Sequence, residues 1–295
     1  MKRPKNSFRK LFIGVLAYVF YHLYRILPID IASYFGSIMG TVIGPRLRAN
    51  NTARYNLKRA FPDWDDAKIN STLLEMWNNL GRIVAEFPHI PKLTGKKFWE
   101  RVEVTGIEHL EVLKVIGKGG IVFSGHIGNW EIAPKTAYEL GMPLALVYRP
   151  ANNPFVERLY RKSRKNSHNG LFAKGRESAR NILRTLKEGG YVGLLVDQKM
   201  NDGIPIPFFG REAMTASAMA DIALKMGSPL VGARVIRTKG AYFKVEIVPA
   251  LDTTNKNNVA IMTEVNQQFE NWIREYPAQW LWLHRRWPRE PDQPR

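Results

Sequence analysis

The chain reads as an α/β protein, with a mixed β-sheet flanked by helices and preceded by an N-terminal membrane-anchor helix. Three observations predict this. From residue 142 onward, short apolar runs alternate with stretches of helical period, the order expected of an α/β sheet. The runs 121–123 and 191–196 are apolar without interruption, as strands buried on both faces are. Ahead of them, residues 11–27 are almost wholly apolar and aromatic, and follow a basic cluster of Lys2, Arg3, Lys5, Arg9 and Lys10.

Residues 11–27 lie at the lower length limit for a bilayer span, and His22 and Arg25 interrupt their distal half. A second apolar stretch, 29–44, carries Asp30 and three glycines. Residues 1–45 therefore read as an uncleaved anchor with its basic end in the cytoplasm, or as amphipathic helices lying in the interface. An ordinary core helix has the same pattern. Residues 46–95 are helical in period. Pro62 stops one helix and Asp63 or Asp65 caps the next, whose Ile69, Leu73, Leu74, Trp77 and Leu80 recur at helical spacing. Residues 96–290 form the α/β part, and 291–295 a tail. Within it strands are expected at 98–104, 121–123, 144–148, 191–196, 230–235 and 242–248, the last alternating as a sheet edge would. Helices are expected at 108–116, 130–140, 176–188, 214–226 and 259–276. Residues 205–210 (Pro-Ile-Pro-Phe-Phe-Gly) read as a rigid apolar loop.

Composition narrows the chemistry. The 295 residues carry a net charge of +18 and no cysteine, so disulfide frameworks and thiolate catalysis are excluded. The charge attracts polyanions, whether nucleic acid, anionic headgroups or an acidic carrier protein. No zinc-finger spacing, RNP signature or basic-zipper heptad is present. No pair of histidines has zinc spacing either, which argues against a metal.

His126 follows the 121–123 strand between Gly125 and Gly128, and Glu131 opens the next helix. On one continuous helix, residues five apart would point roughly 140° away from each other. They converge only if the backbone turns, and Gly128 permits that turn. A histidine at a strand end beside a carboxylate is a base-and-orienter pair. A core-edge histidine beside an unrelated glutamate has the same spacing. Arg149 and Asp197 also stand at strand ends, where α/β sheets build their sites, and Asp197 reads as a partner of Arg149, of Lys199 or of a substrate hydroxyl. Residues 149–176 are strongly basic, with Arg158, Arg161, Arg164 and Lys174 among them.

In order along the chain stand the N-terminal apolar segment, Gly125-His126-x4-Glu131, Tyr148-Arg149-Pro150 with Asn152 and Asn153, Asp197-Gln198, Pro207-Phe-Phe-Gly210 and Pro277-x-Gln-Trp-Leu-Trp-x-His-Arg-Arg286. This series resembles the late (secondary) acyltransferases of lipid A biosynthesis, the lauroyl/myristoyl type with an HxxxxE motif. The wider group includes phosphatidylinositol mannoside acyltransferases. The resemblance implies a glycerolipid-acyltransferase-type fold at the cytoplasmic face of the inner membrane. It implies acyl carrier protein as donor, a lipid A precursor as acceptor, and neither cofactor nor nucleic-acid partner. It implies His126 as general base with Glu131 fixing its tautomer. Gly128 backbone or Arg149 would hold the oxyanion, with Asp197, Asn152 and Asn153 at the substrate. Arg158, Arg161, Arg164 and Lys174 would meet phosphate or carrier. Two alternatives remain at this level: another glycolipid acceptor, and a non-enzymatic basic protein binding membranes or nucleic acid.

Overall fold

The structure, a computed structural model, describes residues 5–115 and 119–288. The last residue of the expected helix at 108–116 lies outside these residues, and so does the whole of the tail 291–295.

Four long helices come first: α1 (Lys5–Ile26), α2 (Ile29–Ile43), α3 (Ala49–Ala60) and α4 (Asp66–Glu86). Asp65 caps α4, its carboxylate accepting from the Lys68 N–H. The α/β part then runs α5 (Lys96–Trp99), β1 (Val102–Thr105), α6 (Glu111–Val115), β2 (Gly120–Ser124), α7 (Ile132–Glu139) and β3 (Leu144–Tyr148). It continues with α8 (Pro154–Ser163), β4 (Leu171–Ala173), α9 (Arg176–Lys187) and β5 (Tyr191–Leu195). Last come β6 (Lys199–Phe208), β7 (Arg211–Thr215), α10 (Ala218–Met226), β8 (Leu230–Lys239), β9 (Tyr242–Ile247) and α11 (Asn258–Glu275).

Seven strands form one mixed sheet in the order β1-β9-β8-β2-β5-β3-β4, parallel at every step except β8 against β9. The sheet is covered on both faces, which is why β2 is buried at every position and apolar up to Phe123. Ile121 and Phe123 face a cluster with Ile182, Leu186, Met262, Phe269 and Trp272. Val122 faces the other cluster, with Leu113, Ile132, Leu144 and Val231.

Three local expectations are corrected. The 242–248 segment is not an edge: β9 lies between β1 and β8, and its alternation reflects one face more deeply covered than the other. Residues 205–210 are not a loop but the end of β6 and the turn of a hairpin, in which β6 and β7 turn tightly at Phe209-Gly210, both at positive φ. Pro205 and Pro207 are tolerated there because this ribbon has only two strands, so each strand keeps an unpaired side. The following helix starts at Ala218 rather than 214, since Met214 and Thr215 finish β7.

The N-terminal helices divide into a packed and an unpacked side. Among the described residues no helix is long and apolar enough to cross a membrane, so the structure gives the membrane-spanning form of the anchor no support. Yet Phe8, Phe12, Val15, Val19, Leu23 and Ile26 recur at three- and four-residue spacing along α1 and all stay exposed. Tyr34, Phe35, Ile38 and Val42 do the same on α2. The opposite side of α2 lies directly on α4. A Cβ on Gly81 would stand 2.0 Å from the Gly36 carbonyl oxygen and 2.9 Å from the Gly40 Cα, so only glycine allows this approach. Gly81→Ala should lower stability by about 1–3 kcal/mol, the range for overpacking, whereas the exposed Ser71→Ala should change it by less than about 0.5 kcal/mol. Thermal unfolding of the two variants checks this.

Candidate active site

Strands β2 and β5 are neighbours, and their register pairs Ser124 with Leu195. Continuing two residues past each strand brings His126 and Asp197 side by side. The pairing is tight. Asp197 Oδ1 lies 2.8 Å from His126 Nδ1, and Asp197 Oδ2 accepts the His126 backbone N–H at 2.8 Å. The Trp280 indole N–H donates to the same Oδ2 at 2.7 Å. One carboxylate thus grips both the ring and the backbone of His126. With Nδ1 donating to Asp197, Nε2 is the ring's acceptor. The Gln198 amide rests against the ring, 3.3 Å from both nitrogens, and the Trp130 ring meets it edge-on at 5.0 Å. The imidazole is 17% exposed, while the Asp197 side chain is 1% exposed.

This overturns the expected pairing of His126 with Glu131. The helix after the turn begins only at Ile132, and Glu131 points into the protein. Its carboxylate takes two hydrogen bonds from Arg164, at 2.7 and 2.5 Å, both groups being buried. Arg164 also stacks over the Tyr160 ring at 3.8 Å. A buried pair like this cannot lose one member without stranding a charge, commonly at about 3–5 kcal/mol. Arg164 is therefore not a surface contact for phosphate or carrier.

Other expected site residues separate in the same way. Gly128 does take a positive φ, of 59°, and a Cβ there would meet the Val235 carbonyl oxygen at 2.1 Å. Its N–H, however, donates to the Gln279 carbonyl at 2.9 Å, so it is not free to hold an oxyanion. Arg149 is exposed and makes no bond to Asp197. Asn152 is exposed as well. Asn153 caps α8 through the Phe155 N–H and donates to the Lys10 carbonyl, tying α8 to α1. Arg158, Arg161 and Lys174 are exposed on the basic segment.

The C-terminal motif forms a wall of the site. Leu281 N–H donates to the His126 carbonyl, and Ile127 bridges to Trp280. Gln279 exchanges side-chain bonds with the Arg237 backbone while its carbonyl holds Gly128. Asn56, buried on α3, donates to the carbonyls of both Trp282 and His284 at 2.7 Å. The His284 ring stands 6.1 Å from that of His126. Sequence reading singled out this stretch as a signature but did not identify Trp280 as a donor to the site acid. A buried carboxylate needing donors and an unassigned tryptophan were the only signals.

Behind Trp130, whose ring meets His126, lies a small, largely apolar cleft of about 50 Å³. Val122, Leu144, Leu146 and Leu194 line it, and Glu131 with Arg164 contributes a polar wall. Among the described residues no cluster of histidine and acidic side chains could hold a metal ion. An imidazole with an oriented acceptor nitrogen is suited to removing a proton from a hydroxyl.

Burial opposes ionisation of Asp197 more than any other effect. The His126 charge, the ring and backbone hydrogen bonds from His126, and the Trp280 N–H together outweigh it and hold the carboxyl at about 2, below its ordinary 3.8. Because the folded value is depressed, this stabilisation is present above the unfolded value and lost as pH falls through about 2. The stability gap between the native chain and Asp197→Asn should therefore narrow by about 2 kcal/mol between about pH 5 and pH 2. Urea unfolding at a series of pH values measures the gap, and a constant gap would count against an ionised Asp197.

Comparison with known proteins adds family context to this geometry. The sequence profile described as Bacterial lipid A biosynthesis acyltransferase matches residues 1–289. Similar curated proteins include the Lipid A biosynthesis palmitoleoyltransferase of Escherichia coli K12, 27% identical over 280 residues, which are 90% of this chain and 87% of that one. The Phosphatidylinositol mannoside acyltransferase of Mycolicibacterium smegmatis is 24% identical over 250 residues, 83% of this chain and 80% of that one. Among solved structures, a 1-acyl-sn-glycerophosphate acyltransferase, PlsC, from Thermotoga maritima is similar with a TM-score of 0.42 and 16% identity, covering 88% of this chain and 99% of that one.

Proposed function

Because the chain belongs to the bacterial lipid A biosynthesis acyltransferase family, and so is an enzyme that transfers acyl groups, we propose that it carries a fatty acyl chain from an acyl carrier protein thioester to a hydroxyl of a lipid A precursor. The observation that carries this reading is the His126–Asp197 pair at adjacent strand ends, with the apolar cleft behind the neighbouring Trp130.

In the reaction, His126 Nε2 takes the proton of the acceptor hydroxyl as its oxygen attacks the thioester carbonyl carbon. Asp197 keeps the Nδ1 proton in place and stabilises the imidazolium that forms. The tetrahedral intermediate collapses, the C–S bond breaks, and the imidazolium returns its proton to the departing thiolate. The products are an ester and a free thiol, with no acyl-enzyme and no redox step. The lining of Val122, Leu144, Leu146 and Leu194 is chemically suited to the acyl chain. The exposed Arg158, Arg161 and Lys174 are suited to the acidic surface of a carrier protein. The glutamate of the HxxxxE motif acts in this account by bracing the cleft wall through Arg164.

The exposed apolar stripes of α1 and α2 support an interfacial position, with both helices lying in the cytoplasmic surface of the inner membrane. Such a position gives the site access to a lipid acceptor without a membrane span. A second acceptor class is favoured by one finding: the mannoside acyltransferase is nearly as similar as the lipid A enzyme. Another glycolipid hydroxyl would be handled by the same chemistry. The reading as a non-enzymatic basic protein is set aside by family membership.

Purified protein given labelled acyl carrier thioester and a lipid A precursor should form labelled, more highly acylated lipid. His126→Ala should lower turnover by about 100-fold or more, and Asp197→Asn by about 1,000-fold or more. Undiminished turnover in a folded His126→Ala variant would end the base assignment. Transfer to a mannosylated phosphoinositide alone would select the second acceptor class.

A further inference from the structure

At the far end of α1 lies a cleft of about 390 Å³ lined by His22, Arg25, Ile26, Lys92 and Lys162. That volume is within the range of small-molecule sites, roughly 300–1,000 Å³. Its cations come from three separate segments: the last turn of α1, the 3-10 turn Phe87–Lys92 and the last turn of α8. Among the described residues no carboxylate forms an ion pair with Arg25, Lys92 or Lys162. Lys162 instead leans over the Tyr21 ring at 5.5 Å. His22 is wedged against Tyr18 and Tyr21, and its Nδ1 is buried without a hydrogen-bond partner. Gathering like charges around one opening is unfavourable unless an anion joins them.

The surroundings of the cleft indicate what kind of anion. Ile26 lines it and is also the last member of the exposed α1 stripe, at 82% exposure. A ligand seated here would have its charge among the cations and an apolar surface running away along α1. An amphiphile with a phosphate headgroup has that form, and a soluble polyanion such as nucleic acid does not. Lys162 is also two residues from Arg164, which holds Glu131 at the catalytic cleft. The last turn of α8 and the residue that caps it thus border the two clefts.

We propose that this cleft binds the phosphate of an anionic lipid headgroup. The proposal rests on the interfacial reading of α1 and α2 and extends it with a defined headgroup site. The phosphate could be carried by the acceptor lipid itself or by a neighbouring anionic phospholipid, and the chemistry at the cleft is the same.

Vesicle sedimentation of the full chain tests it without depending on turnover. Native protein should bind phosphatidylcholine vesicles containing phosphatidylglycerol more tightly than vesicles of phosphatidylcholine alone. The triple variant Arg25→Gln, Lys92→Gln, Lys162→Gln should lose about 100-fold in affinity for the anionic vesicles. Its binding to phosphatidylcholine should be unchanged, which also shows that the apolar face is intact. A control with the same loss of charge, Arg180→Gln, Arg184→Gln, Lys187→Gln on α9, should lose much less. Equal losses in the two triple variants, or no loss in the first, would overturn the proposal. The source of the phosphate is read separately, from kinetics with the acceptor dispersed in phosphatidylcholine. A raised KM with unchanged kcat in the cleft variant assigns the phosphate to the acceptor. Unchanged kinetics with lost binding to phosphatidylglycerol assigns it to bulk lipid. Failure of transfer by the native chain would overturn the enzymatic reading and leave the vesicle result standing.

Discussion

The site depends on one buried carboxylate. Asp197 accepts hydrogen bonds from the His126 ring, the His126 backbone and the Trp280 indole, and so joins the ends of two strands to the C-terminal segment. A buried charge is costly unless its partners are all in place. That requirement makes the arrangement cooperative. The strand register must bring residues 126 and 197 together, and residues 279–281 must close over them. What results is an imidazole fixed in position and tautomer before any substrate arrives, which is what preorganisation at a reacting centre requires.

A second buried network carries this order outward. Glu86, at the end of α4, accepts from Arg237 of β8, from Asn129 in the turn after His126 and from Ser33 of α2. Asn79 of α4 adds a bond to the Gly128 carbonyl and takes one from Arg237. The helix that shows an apolar face to its surroundings is therefore tied, through a few charge-assisted bonds, to the turn that presents His126. Close glycine contacts between α2 and α4 hold the same connection at the level of backbone packing. The geometry suits the proposed work on a lipid, because the helices with exposed apolar faces and His126 form one packed unit.

Much of this was legible in the chain. The apolar strands, the helical periods and a cap at Asp63 or Asp65 were readable because burial on both faces and helical amphipathicity leave direct marks on composition. His126 and Asp197 were both identified as residues at strand ends. Their pairing was not, because it depends on β5 lying beside β2 while β3 and β4 intervene in sequence. Spacing along the chain favoured Glu131 instead, and only the course of the backbone into α7 shows it turning inward to Arg164. In the sequence Arg164 is one member of a basic run, and nothing local distinguishes the arginine that is buried from those that are exposed. Trp280 was conspicuous, but its donor role could not be assigned without knowing which carboxylate it would meet. The edge assignment of β9 failed for a related reason: alternation reports unequal cover of the two faces, and interior strands can have that too.

The account stands on Asp197, and not Glu131, setting the tautomer of His126. Nitrogen-15 NMR of the imidazole rings measures this directly, with the His126 signals assigned by their loss in His126→Ala. With the imidazole neutral, the native chain should show a His126 Nδ1 proton in a strong hydrogen bond and an unprotonated Nε2. Glu131→Gln should keep that pattern, and Asp197→Asn should abolish it. A pattern that survives Asp197→Asn and disappears in Glu131→Gln would contradict the account.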